Sequence, residues 1–183
     1  DKDGGSPQSQ SVNHPWMSPV TATHVRGGKL PDLTARFTGT DRADTRALKA
    51  DGTWRTAETT TSFDGTTGLP TQVDDKGEVG SDGKPVAGTA TPENCTSTAY
   101  ATDASRNMYV FPAEVITEAG ACVTTPDAHT LSDTRTWYDK STTLGALPSS
   151  GPGDATSSQK AKAFDDQGAL VWAKASSTEY DAY

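Results

Sequence analysis

Short stretches in which polar and apolar residues alternate recur along almost the whole chain. This period of two is the side-chain repeat of a half-exposed β-strand. Val20 to Val25, Leu33 to Phe37 and Thr53 to Phe63 follow it, as do Thr98 to Ala101, Met108 to Phe111, Glu114 to Thr117, Thr130 to Tyr138 and Leu170 to Lys174. They are rich in Thr, Val, Trp and Tyr, which suit a pleated surface. Between them stand Gly27-Gly28, Asp51-Gly52, Asp64-Gly65, Lys76-Gly77, Asp82-Gly83, Gly120 and Gly151-Pro152-Gly153. Asp-Gly between alternating segments signals a tight turn. Asp41 to Ala50 and Asp154 to Ala163 are the two stretches that could form short helices, and neither carries an apolar stripe. The expected fold is therefore mostly β with little helix. An irregular Gly/Ser/Gln/Pro-rich arm over residues 1–18 is expected to precede one β-rich region over residues 19–183.

Composition narrows what such strands can build. Only 32% of the 183 residues are hydrophobic, too few for a thick Leu/Ile core or for the stripes of a helical bundle. The 24 acidic and 16 basic residues give a net charge of −8, which argues against a phosphate-backbone partner, so no nucleic acid is expected. No apolar run approaches the roughly 18 residues of a membrane span. The two cysteines, Cys95 and Cys122, come without a CxxC, an HExxH or a Cys/His cluster, so zinc is not expected. In a chain this polar they are expected to form a disulfide in an extracellular setting, two buried free thiols being the alternative. Closing that loop would stabilise the fold by roughly 3–4 kcal/mol.

Motifs for catalysis are sparse. Ser157-Ser158-Gln159-Lys160 matches SxxK, but its companion SDN and KTG elements are missing and the surrounding segment is Ser-rich. His14, His24 and His129 are dispersed, and no GxSxG or GxxxxGK[ST] occurs. Asp74-Asp75 and Asp165-Asp166 lack the calcium-loop spacing and read as solvated acidic turns. No enzymatic activity, metal or cofactor is expected. Trp54, Trp137 and Trp172, together with Trp16, would stack on sugar rings if they lay on one exposed face; the other reading is that they pack. An extracellular carbohydrate- or surface-binding β module, with glycans as partners, is accordingly the alternative functional reading.

One unit recurs. An aromatic is followed directly by Asp at Phe63-Asp64, Tyr138-Asp139, Phe164-Asp165 and Tyr180-Asp181. The first three lead through a polar stretch to a glycine (Gly68, Gly145 and Gly168) and an apolar residue. In such a unit the aromatic ends a strand and packs on the neighbouring hairpin. The carboxylate accepts turn N–H groups as an Asx turn does, and the glycine supplies a positive φ. A single hairpin of this kind cannot bury its apolar face, so copies must lie side by side.

FDGTTGLPTQVDDKG from Phe63, TRTWYD ending at Asp139 and STEYDAY ending at Tyr183 resemble the YD repeat of Rhs-family proteins, in an actinobacterial style. The resemblance spans Thr53 to Tyr183. The chain departs from the family pattern in using Phe for Tyr twice and in lacking Arg after the glycine. The resemblance implies stacked antiparallel hairpins forming part of a hollow shell or β-solenoid-like sheet. It further implies a secreted, non-enzymatic segment that encloses or scaffolds a toxin or other cargo. Its partners would then be other segments of the larger shell or the cargo itself.

Overall fold

The computed structural model describes residues 8–122 and 126–181. It divides into two compact units, Asp1–Glu93 and Asn94–Tyr183, and both are antiparallel β-structures. The fold is mostly β, as the alternation requires. Among the described residues no helix is long and apolar enough to cross a membrane.

The first unit contains β1 (Ser9–Met17), β2 (Ala22–His24), β3 (Leu33–Ala35), β4 (Thr38–Leu48), β5 (Trp54–Phe63) and β6 (Pro70–Val79). Four of these pair in the order β1-β4-β5-β6, and β2 and β3 form a separate two-stranded ladder. The β2–β3 ladder lies where the chain leaves β1 and before it enters β4. At that corner Ser18 is fully buried, and its N–H donates to the Phe37 carbonyl at 2.9 Å. Its hydroxyl oxygen accepts the Phe37 N–H at 2.9 Å. The β4–β5 connection is the tight turn that Asp51-Gly52 announces. Asp51 Oδ1 accepts the Thr53 N–H at 2.9 Å, and the exposed carboxylate is held below its usual pKa chiefly by the Thr53 hydroxyl.

Three expectations fail in this unit. Of the irregular arm over residues 1–18, residues 1–7 lie outside the described residues, and Ser9–Met17 is a strand. Val12, His14 and Trp16 already alternate there, and pairing with β4 outweighs the loop-like composition, the register shifting between His14 and Pro15. The proposed helix over Asp41–Ala50 is β4, whose residues find partners on both neighbouring strands. Lys76-Gly77 marks no turn but a bulge inside β6, where the register shifts opposite Glu58 and Thr59. Gly77 has φ +61°, and a Cβ there would stand 2.0 Å from the Thr91 carbonyl oxygen, so only glycine fits.

The second unit contains β7 (Asn94–Asp103), a 3₁₀ turn (Ala104–Arg106), β8 (Met108–Ala119), β9 (Thr130–Tyr138), β10 (Ala155–Phe164) and β11 (Leu170–Ser177). Each strand pairs with the next in sequence. The second proposed helix, Asp154–Ala163, is β10 and carries pairing on both sides. The 3₁₀ turn is capped by Asp103, whose carboxylate is lowered to about 2 by the Ser105 hydroxyl and the Arg106 guanidinium. Arg106 also donates to the carbonyls of Pro148 (2.8 Å) and Gly151, drawing the β9–β10 connection against this turn. A small apolar cluster forms there: Ala101, Ala113, Tyr138 and Leu147, with Met108, Phe111 and Leu144 packed against it. Cys95 and Cys122 form the expected disulfide. The first unit is poorer in apolar interior, and its buried residues include Asp44 and Glu58 beside Val79.

Candidate functional site

Three of the four aromatic–Asp pairs stand at strand reversals. Phe63 ends β5, and Asp64 Oδ1 accepts the N–H groups of Thr66 (2.9 Å) and Thr67 (2.7 Å) and the Thr67 hydroxyl (3.0 Å). These bonds, that of the Thr67 N–H foremost, hold the carboxyl below its ordinary pKa. Gly68, at φ +72°, then turns the chain into β6. The Phe63 ring stacks on Trp16 of β1 with centroids 4.6 Å apart. Gly39 of β4 is paired with Trp16, and a Cβ on it would lie 2.8 Å from the Phe63 ring, so its bareness makes room for that stack. Phe164-Asp165 repeats the turn between β10 and β11. Asp165 Oδ1 accepts from Gln167 N–H (2.9 Å) and Ala169 N–H (2.8 Å), and Gly168 has φ +76°.

The pair at Tyr138-Asp139 works differently. The Asp139 carboxylate ignores the adjacent turn and accepts the N–H groups of Gly153 (3.0 Å) and Asp154 (2.9 Å), clamping the far end of a long connection to the end of β9. Gly145, at φ +80°, lies within that connection rather than at a strand start. Tyr138 is 7% exposed, meets Phe111 edge-on at 5.4 Å and donates its hydroxyl to the Pro112 carbonyl at 2.9 Å. Tyr180-Asp181 follows β11, and Tyr180 donates to the Ala155 carbonyl at 3.2 Å. The two residues after it lie outside the described residues.

The capping role has a direct consequence. Asp64→Ala is expected to lower stability by about 1–2 kcal/mol, since it strands two turn N–H groups, while Asp64→Asn, which keeps an acceptor, loses less than half of that. Urea denaturation of the two variants measures the difference; equal losses would show that the charge, not the acceptor, matters.

The tryptophans are divided between the two units. Trp16 and Trp54 belong to the first unit, Trp137 and Trp172 to the second. Trp16 is occupied by Phe63, and Trp172 lies under the Arg135 guanidinium at 3.9 Å. Trp137 is half-buried, whereas Trp54 is 40% exposed. The SxxK match also dissolves. Ser157 and Lys160 are three residues apart on the strand β10, which sends their side chains to opposite faces.

Beside Trp54 the first unit carries a charged groove that sequence reading missed. Asp44 of β4 and Glu58 of β5 are directly paired across the two strands, and each is at most 9% exposed. Arg42 places Nη2 between His14 Nε2 (2.6 Å) and Asp44 Oδ2 (3.2 Å), and Lys76 Nζ meets Glu58 Oε1 at 2.5 Å. Asp44 Oδ1 and Arg42 Nε are buried without hydrogen-bond partners. The only sequence signal is the alternation Arg42-x-Asp44-x-Arg46, which puts three charges on one strand face. Asp74, expected in a solvated turn, lies instead in β6, where burial raises its carboxyl pKa, helped by Asp75 and Glu58 and opposed by Lys76.

The second unit holds a different anomaly. Asp133 of β9 is 1% exposed, and neither of its oxygens has a hydrogen-bond partner. It pairs with Ile116, so Glu114 and Glu118 flank it on β8. Burial lifts its pKa to about 6, Glu114 and then Glu118 adding to the rise and Arg135 opposing it. Among the described residues no group of three or more His, Cys, Asp or Glu could hold a metal ion.

Comparison of the chain with family models, curated proteins and solved structures returned no match.

Proposed function

We propose that this chain is a non-enzymatic structural segment of a secreted Rhs-type YD-repeat shell, one that encloses or scaffolds a toxin or other polypeptide cargo. The observation that carries the reading is the position of the aromatic–Asp pairs. Phe63-Asp64, Tyr138-Asp139 and Phe164-Asp165 each stand at the passage from one strand to its antiparallel neighbour, each with a carboxylate on backbone N–H groups. A unit that bends the chain and presents a fresh strand edge is suited to building sheet area without a thick core, which fits the low hydrophobic content. The disulfide agrees with folding in an oxidising compartment.

The scaffold reading is tested by cryo-EM of the secreted polypeptide purified from its natural producer. Further aromatic–Asp hairpins laid against the outer edge of β11, in a sheet that surrounds another polypeptide, are the expected result. A particle in which that edge faces solvent and no chain is enclosed would sink it.

A further inference from the structure

In the first unit one lysine, Lys76, stands among three carboxyl groups, those of Glu58, Asp74 and Glu93. On β6, Asp75 pairs with Thr59 and Gly77 with Glu58, so Lys76 is the extra residue of the bulge and has no cross-strand partner in the ladder. A bulge re-aims a side chain, and here it delivers Lys76 Nζ to Glu58 Oε1 at 2.5 Å. Asp74 pairs with Thr60, two residues beyond Glu58, and therefore lies on the same face beside it. We infer that Lys76 and Glu58 join in an isopeptide bond, an amide from Nζ to Cδ that fastens β5 to β6, with Asp74 carrying the protons.

The surroundings separate this pair from a surface ion pair. Glu58 is 9% exposed and the Lys76 side chain 24%, against 44% for Lys49 in its pair with Glu78 at 3.3 Å. Burial keeps out the water that would solvate both ions and would hydrolyse the product. Holding amine and carboxyl in contact also replaces a bimolecular encounter, an advantage of about 10⁵–10⁸ M in effective concentration where alignment is good. The second Glu58 oxygen, Oε2, lies 4.0 Å from Arg42 Nε, so a guanidinium faces the atom on which negative charge gathers when Cδ is attacked. Asp74 Oδ1 is buried without a hydrogen-bond partner, and burial raises the Asp74 carboxyl above its usual pKa, which favours a proton donor beside the pair. Burial raises Glu93 likewise, Asp74 adding to the rise and Lys76 opposing it.

The step balances with no co-reactant. One proton passes from Nζ to Glu58 Oε1, leaving a neutral amine beside a neutral acid. The Nζ lone pair forms the C–N bond to Cδ, the C–Oε1 bond breaks, and Oε1 departs as water. Asp74 donates the proton that completes that water and takes one back from Nζ. A planar amide then stands in place of the ion pair. Such a link suits this unit, whose one buried hydrophobic side chain among the described residues is Val79. A thin core leaves strands to be fastened by other means.

Intact-mass spectrometry of the whole chain, denatured and with its disulfide reduced, is the experiment. The expected mass is one water, about 18 Da, below that of the linear sequence. Digestion before aspartates is expected to release a branched peptide that joins the Glu58 segment to the Lys76 segment. Lys76→Arg keeps the charge of the pair but supplies no amine nucleophile, so it is expected at full mass. Asp74→Asn removes the proton carrier and is expected at full mass in most molecules. Circular dichroism verifies that both variants are folded. Full mass in the unaltered protein would overturn the inference. So would a lost water that persists in Lys76→Arg, as ring closure at Asp51-Gly52, Asp64-Gly65 or Asp82-Gly83 would give, or an undiminished link in Asp74→Asn.

Discussion

Asp133→Asn raises the melting temperature at pH 7.5 and leaves it nearly unchanged at pH 4. The carboxyl is 1% exposed, has no hydrogen-bond partner on either oxygen and sits between Glu114 and Glu118, so its ionised form is disfavoured and its pKa rises from 3.8 to about 6. Between these two values the folded state holds a proton that the unfolded state has released. Stability from this group is therefore fully present below pH 3.8 and is lost as pH climbs through 6. A shift of that size corresponds to about 3 kcal/mol at neutral pH. Asparagine copies the shape of the neutral acid without ionising, and its amide can donate towards the flanking carboxylates. Recovering most of the penalty would lift the melting temperature by roughly 6–12 °C for a chain of this size. Calorimetric scans at both pH values check this. An Asp133→Asn variant that gains nothing at pH 7.5, or a wild-type stability flat from pH 4 to pH 7, would show that the carboxyl is solvated or paired.

What could be read from sequence follows from how local each interaction is. Asp64 and Asp165 were legible as turn caps because their N–H partners lie within four residues, and the glycine that completes each turn stands in the same segment. Asp139 likewise follows an aromatic, yet its partners Gly153 and Asp154 lie at the far end of the connection, and nothing in the dipeptide announces them. The strands β1, β4 and β10 carry no clear strand signal because they are poor in β-branched apolar residues. Pairing on neighbouring strands decides their conformation, and propensity is a weak prior where a ladder can form. The groove needs more still. Asp44 and Glu58 meet only because the β4–β5 turn sets the register that puts them opposite each other, and a slip of one residue would send one of them to the other face. Trp54 shares its chemistry with three other tryptophans. Its exposure, which separates it from them, is a property of the folded sheet.

Cys122→Ser lowers stability by about 3–4 kcal/mol, the loop-closure value for a link between residues 27 apart. Cys95 is 1% exposed at the start of β7 and paired with Glu118 of β8, and Cys122 lies just beyond the end of β8, with Cα atoms 5.0 Å apart. The β7–β8 hairpin is thus closed at both ends, by the Asp103-capped turn at one and by the bond at the other. Cutting the bond releases the end where Glu118 and Asp133 stand close, and this couples the two largest effects. Once that end loosens, water reaches Asp133, its pKa falls back towards 3.8, and the gain from Asp133→Asn at neutral pH shrinks. The double variant Cys122→Ser/Asp133→Asn should therefore differ from the sum of the single changes, because residues that share an environment are not additive. Melting curves of the four proteins at pH 7.5 without reductant give the coupling directly. A Cys122→Ser protein as stable as the parent would mean that the bond closes nothing the strand pairing had not already closed. Strict additivity would mean that the disulfide plays no part in keeping water from the buried acid.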